Sequence, residues 1–299
     1  MLEFKEMTID DKEWASELYK ISGLAGCSNS FGTQYIWARS FKGKICRHKD
    51  FLLYRGEKYG LAYAMPAGKG DLGEAAGLMK ADAEANGAKF RMFGITLEDI
   101  EKLKNECPEI HDNFEYKENR GFFDYIYLAS DLALLSGRKY HSKRNHISRF
   151  GKSYDIAVEV INQGNMAECL DIAEKWAEGK NGGDGDYNFA DELDALKRSF
   201  DNYERLGFCG IILKADGKPA AFTIGEEQNG STFLTHFEKT LPEAEDAYPV
   251  INNKFALMLK DKYEYINRED DVGNEGLRKS KLSYHPVVLL EKYNAIARV

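Results

Sequence analysis

Hydrophobic positions first recur at helical spacing over residues 10–21, where Trp14, Leu18 and Ile21 share one side of a helix that Asp10 is placed to cap. Tyr35, Ile36 and Trp37 mark a second helix. Two apolar runs, 51–54 and 59–65, then read as strands across the turn Arg55-Gly-Glu-Lys. A glycine-rich loop, a helix near 74–86, a strand over 89–93 and a helix near 98–105 complete one α/β unit. Residues 131–152 read as a helical connector opening a second unit. A strand over 155–161, a helix over 167–177, the loop signal Asn181-Gly-Gly-Asp-Gly-Asp and a helix over 191–206 follow.

The pattern is clearest after residue 207. Three strands, 208–214, 219–226 and 231–238, are separated by Asp216-Gly217 and Asn229-Gly230, dipeptides that favour tight hairpins because both central residues accept positive φ. A helix over 250–259, a strand over 263–267, a charged segment over 268–278 leading to a short helix, and a strand over 286–290 close the chain. Three antiparallel strands, helix, strand, helix, strand is the element order of a GNAT acyltransferase core. The expected fold is α/β (α+β): two tandem GNAT-like halves, each a mixed, largely antiparallel sheet flanked by helices. The N-terminal half is expected over 1–130 and the C-terminal half, with the working site, over 131–299.

Composition narrows the setting. With 43% apolar residues, 12% aromatics and 6 prolines in 299 residues, the chain reads as compact and globular. No apolar run approaches the roughly 20 residues that span a bilayer, and the N-terminus carries no signal-peptide pattern. Five scattered cysteines without CxxC predict free thiols in a reducing, cytoplasmic setting and no metal site. The net charge of −8 argues against binding duplex nucleic acid. Residues 132–154 run against it, with no acid and with Arg138, Lys139, Lys143, Arg144, Arg149 and Lys152.

The run from Tyr265 through Asn267-Arg268-Glu269-Asp270-Asp271-Val272-Gly273-Asn274-Glu275-Gly276-Leu277-Arg278-Lys279-Ser280-Lys281 to Pro286, with Gly137-Arg-Lys-Tyr-His-Ser-Lys-Arg-Asn-His-Ile-Ser-Arg-Phe, resembles the DUF2156 family of bacterial proteins. The nearest characterised relative of that family is the C-terminal catalytic domain of phosphatidylglycerol lysyltransferase. The likeness covers most of the chain and implies tandem GNAT folds related to the Fem aminoacyltransferases. It also implies transfer of an amino acid from aminoacyl-tRNA to a lipid or peptide amine or hydroxyl. Arg278 and Lys281 match basic positions near the end of the lysyltransferase domain.

The charge pattern marks candidate sites. Arg268, Arg278 and Lys281 suit a phosphate or a developing oxyanion, and Glu269, Asp270 and Glu275 suit a substrate amino group. Arg278 and Lys281, three apart on a helix, share a face. His236 is the candidate base. Lys143, Arg144, Asn145 and His146 form a candidate anion patch for a tRNA acceptor end, a lipid headgroup or coenzyme A. The competing readings are a salt-bridged loop for 268–281 and a solvated helix for 138–152. Gly68-Lys-Gly-Asp-Leu-Gly73 fits GxGxxG but reads as a plain turn, because Asp71 and Glu74 would repel a pyrophosphate. Glu243, Glu245 and Asp246, without a glycine, disfavour coenzyme A bound in the standard manner. The donor is therefore expected to be an aminoacyl-tRNA or, less conventionally bound, an acyl-CoA. The acceptor is expected to be a small amine or a lipid headgroup. A non-catalytic sensor of a small ligand on the same fold is the alternative.

Overall fold

The computed structural model describes residues 2–178 and 189–298. The expected loop at 181–186 lies outside the described residues. The chain forms two compact units, Met1–Asp124 with Leu290–Val299, and Tyr125–Leu289.

The first unit holds a mixed sheet. Lys5–Glu6, Lys44–His48, Phe51–Gly56, Ala62–Tyr63, Arg91–Ile95, Tyr293–Ala297 and Phe114–Glu118 lie in that spatial order, and Ala67–Gly68 also pairs with Phe51–Gly56. Its core joins Leu53, Tyr63, Met79, Met92 and Leu103, all buried. The first long helix runs Lys12–Ser22 after a 3₁₀ turn, and the cap is a reciprocal Thr8–Asp11 box in place of Asp10. Gly68 and Gly70 carry positive φ, and a Cβ on Gly68 would meet the Asp50 carbonyl oxygen at 2.0 Å. Asp71 caps the helix Leu72–Ala85 by accepting from the Glu74 N–H. The GxGxxG glycines thus serve a tight turn against a strand.

The second unit orders its strands Val288–Leu290, Asp124–Leu128, Tyr265–Asn267, Thr232–Thr240, Lys218–Asn229, Cys209–Ala215 and Ile156–Val160. The antiparallel meander stands as its turn dipeptides predict. Asp216 and Gly217 both take left-handed backbone, φ 50° and 75°. The second hairpin closes differently, without positive φ at Asn229 or Gly230. There the Asn229 side chain accepts from the Ser231 and Thr232 N–H groups. Helix Tyr248–Leu259 covers the sheet with Val250, Ile251, Phe255 and Leu259, packed against Phe233 and Ile266.

The chain's end departs from the expected order. Val288–Leu290 closes the second sheet, and Tyr293–Ala297 then inserts in the first sheet between Arg91–Ile95 and Phe114–Glu118. The last ten residues therefore belong to the first unit, whereas the expected division ran unbroken from 131 to 299. The pairing is set by partners about two hundred residues upstream, which no local pattern encodes.

The meander's register shifts at three positions, one of which falls at His236. Ile224 opposes Phe237 while Gly225 opposes Thr235, so strand Thr232–Thr240 carries one extra residue, His236, as a β-bulge. A Cβ on Gly225 would lie 1.9 Å from the Leu234 carbonyl oxygen. Gly225→Ala is therefore expected to cost about 1–3 kcal/mol or more in urea unfolding, because backbone must shift to admit one methyl group.

Candidate functional site

The second sheet splits where the parallel pair Thr232–Thr240 with Tyr265–Asn267 ends. Thr232–Thr240 pairs with Tyr265–Asn267 at only three positions, Thr232 with Tyr265, Phe233 with Ile266 and Leu234 with Asn267. The first strand runs on to Thr240. The other strand parts from it after Asn267, keeps main-chain hydrogen bonds of Arg268 and Glu269 with Tyr125, and turns through left-handed Glu269 and Val272, φ 55° and 44°. Glu238 sits on the strand beyond the split, and Arg268 follows the end of its former partner.

These two pair. Arg268 Nη2 donates to Glu238 Oε1 at 2.8 Å, and the two side chains are only 11% and 9% exposed. Asn252, from helix Tyr248–Leu259, donates Nδ2–H to Glu238 Oε2 at 3.2 Å. The guanidinium lies 5.0 Å from the Tyr284 ring and 5.8 Å from the Tyr127 ring. Lys143 Nζ lies 3.9 Å from the centre of the same Tyr284 ring. Burial, and then the Arg268 charge, bring the Lys143 pKa down to about 8. Two polar atoms of the cluster, Arg268 Nη1 and Asn252 Oδ1, are buried with no hydrogen-bond partner. Buried polar atoms are rarely left so, and both side chains converge on Glu238.

The remaining anticipated residues surround this cluster or stand apart from it. Lys281 is buried and donates to the Arg268 carbonyl at 2.5 Å and to the Asp270 carbonyl, so it fastens the loop from inside. Arg278 grips Asp271 through Nε and Nη2 at 2.9 and 3.0 Å, and Asp271 also accepts from the Tyr125 hydroxyl at 2.6 Å. These two cations shape the loop that presents Arg268. Glu275 is exposed in the first turn of helix Glu275–Leu282, and the Asp270 carboxylate accepts from the Val272 N–H within the loop. Arg144 donates to the Leu135 and Gly137 carbonyls, closing the helix Ala129–Leu134. Asn145 meets His141 at 3.1 Å and His146 meets Arg149 at 3.2 Å, both on the exposed side of helix His141–Ser153. Of the anticipated basic patch, Lys143 is the residue that turns toward Arg268 and Tyr284.

His236 does not fit the role of a general base. Its side chain is fully buried, with Nδ1 2.8 Å from Glu269 Oε1 and Nε2 3.3 Å from Glu226 Oε1, the latter an ion-pair separation outside hydrogen-bond geometry. Burial alone would lower its pKa, but the Glu226 and Glu269 carboxylates outweigh it and raise the value to about 9. At neutral pH it is an imidazolium that has no lone pair to offer. Through Glu269 it clips the loop that follows Arg268 to the sheet.

Asn252 is absent from the residues that the sequence pattern singles out. Its signal lies in the helix itself: Asn252 and Asn253 interrupt an otherwise apolar helix surface, and both are buried. Asn253 is accounted for by the Leu132 and Ala133 carbonyls, which leaves Asn252 for Glu238.

Where an acetyl-CoA loop would stand, residues Pro242–Ala247 form a 3₁₀ turn with Glu243, Glu245 and Asp246 at its surface and Asp246 3.3 Å from Arg149. No helix among the described residues is long and apolar enough to cross a membrane.

Two sheets flanked by helices, the second split beside a largely enclosed Arg–Glu pair, define a tandem GNAT-like protein. The chain belongs to the family of the phosphatidylglycerol lysyltransferase C-terminal region, whose profile matches residues 19–296. A conserved protein of unknown function from Bacteroides thetaiotaomicron is 38% identical over 100% of both chains, with a TM-score of 0.92. The L-PGS structure from Bacillus licheniformis has a TM-score of 0.67 at 16% identity, over 96% of this chain and 92% of that one. FemX has a TM-score of 0.62 at 8% identity, over 98% and 97%. No curated protein matches.

Proposed function

We propose that this chain transfers an activated aminoacyl group to an amine or hydroxyl acceptor at the split of the second sheet. The observation that carries the reading is Arg268: a largely enclosed cation whose Nη1 is unpaired, near a lysine whose pKa is lowered to about 8. Membership of the lysyltransferase family and the fold shared with L-PGS and FemX support aminoacyl transfer as the class.

In this reading the carbonyl oxygen of the donor takes the Arg268 Nη1 hydrogen bond, which strengthens as negative charge develops there. Asn252 Oδ1 and the Glu238 carboxylate suit the α-ammonium of the same aminoacyl group. The acceptor nitrogen or oxygen attacks the carbonyl carbon, Lys143, as the free amine, accepts the acceptor's proton, and the ester bond breaks as the resulting ammonium returns that proton to the leaving oxygen. No covalent enzyme intermediate is required. Positioning and electrostatics supply the rate. Arg278 and Lys281 contribute by fixing the loop, and the exposed part of helix His141–Ser153, with His146, is the surface nearest in sequence to Lys143 for a phosphate of donor or acceptor.

Purified protein is incubated separately with charged aminoacyl-tRNAs and with acyl-CoAs, in the presence of small amines or phosphatidylglycerol vesicles. Acceptor-dependent loss of aminoacyl-tRNA is expected. Consumption of acyl-CoA alone would replace the donor, and no turnover of either donor, with or without binding, would overturn the transferase reading in favour of a sensor. The rate should climb as pH rises through about 8, as Lys143 loses its proton. Lys143→Arg should remove that limb and slow transfer by about 10²–10⁴-fold.

A further inference from the structure

The first unit buries a thiol, an amine and a carboxylate in mutual contact, none of which the proposed transfer reaction uses. Cys27 Sγ lies 3.2 Å from Lys292 Nζ and 3.1 Å from Asp124 Oδ1, and Lys292 Nζ lies 2.5 Å from that same oxygen. All three residues are buried. The backbone holds them there: the Cys27 N–H donates to Asp124 Oδ2 at 2.6 Å, and Gly26, at φ 97°, lets the lysine chain pass where a Cβ would stand 3.2 Å from Lys292 Cε.

We propose that Cys27 and Lys292 form a covalent modification site, in which an oxidant of the peroxide class joins Sγ to Nζ through one oxygen atom. The chemistry balances in two steps. One peroxide oxidises the thiol to a sulfenic acid and leaves as water. The Asp124 carboxylate takes the extra proton of the Lys292 ammonium, freeing the nitrogen lone pair. A second peroxide accepts two electrons as the sulfenic oxygen bonds to nitrogen, and one proton from each partner leaves in the two waters formed. The product has gained one oxygen and lost two hydrogens relative to the thiol and amine. A non-bonded sulphur–nitrogen separation of 3.2 Å leaves room for a single bridging atom with little movement of either main chain. The burial that favours the bridge also slows attack by a second thiol on the sulfenic acid.

The other four cysteines provide the internal control. Burial raises the thiol pKa of Cys46 and Cys209, of Cys107 to about 11 and of Cys169 to about 12, which suppresses their thiolates and so their oxidation.

The full chain is treated with millimolar hydrogen peroxide, quenched, and digested without reductant for peptide mass mapping. The expected result is a linked pair of peptides holding Cys27 and Lys292 with one added oxygen and two hydrogens lost. The pair should revert to unmodified peptides on dithiothreitol and be absent in Lys292→Arg. The bridge closes a loop across 265 positions, so the oxidised chain should also unfold at higher temperature than the reduced one. Sulfinic or sulfonic acid at Cys27 beside an unmodified Lys292 would overturn the proposal, as would a Cys27 that stays a free thiol while other cysteines oxidise. Neither outcome bears on transfer at Arg268.

Discussion

Arg268→Met is expected to slow aminoacyl transfer by about 10²–10³-fold and, by a separate mechanism, to destabilise the fold by about 3–5 kcal/mol. The loss of rate follows from the unpaired Nη1 donor, which in the proposed reaction meets the carbonyl oxygen as it becomes an oxyanion. The loss of stability follows from Glu238, which is largely enclosed and would keep only the Asn252 hydrogen bond at 3.2 Å. Removing one member of a buried ion pair leaves an uncompensated charge, which costs more than the pair contributed. The two effects separate in the double variant Arg268→Met, Glu238→Gln. A neutral amide at 238 should recover most of the stability in urea unfolding, while the rate stays well below that of Glu238→Gln alone, which loses only the carboxylate's hold on the α-ammonium. A double variant that recovers activity along with stability would show that Arg268 acts only as a structural counter-ion.

The second large effect concerns alkaline pH. His236 is charged between Glu226 and Glu269, and its pKa of about 9 stands above the ordinary histidine value of 6.5. A group whose pKa is raised on folding stabilises fully below the unfolded value and ceases to do so as pH rises through the folded one. The protein should therefore lose stability between about pH 6.5 and 9, measured as a falling thermal midpoint. His236→Ala should cost about 3–5 kcal/mol at neutral pH, since the buried Glu226 and the half-buried Glu269 then lose their shared counter-ion. Its own midpoint should show no fall across that window, rising instead above about pH 8 as the depressed Lys143 loses its proton. A wild-type midpoint that is constant from pH 6.5 to 9 would contradict the buried imidazolium.

How much of the fold is legible from sequence depends on where the deciding partner lies along the chain. The meander can be read because Asp216-Gly217 and its flanking alternation sit within one hairpin, and local chemistry alone selects the turn. Strand Lys44–His48 cannot, since Lys44, Arg47 and His48 blur its alternation and its partner supplies the burial. Tyr293–Ala297 is invisible for a stronger reason, being claimed by strands nearly two hundred residues away. The candidate site obeys the same rule. Charge density points to 268–281, and that loop does hold Arg268. Within it, the charge pattern favours Arg278 and Lys281, which the structure occupies with Asp271 and with backbone carbonyls. Lys143 and Arg144 are neighbours of equal charge. One turns to Tyr284 and the other to two carbonyls, a choice made by a tyrosine about 140 residues downstream.

The most direct test is a crystal structure of the protein with an aminoacyl-adenosine mimic in which an amide replaces the labile ester. The amide oxygen is expected within hydrogen-bond distance of Arg268 Nη1, with the α-ammonium on Asn252 Oδ1. A mimic bound with its carbonyl elsewhere, and Arg268 still touching nothing but Glu238 and the tyrosine rings, would contradict transfer at this split.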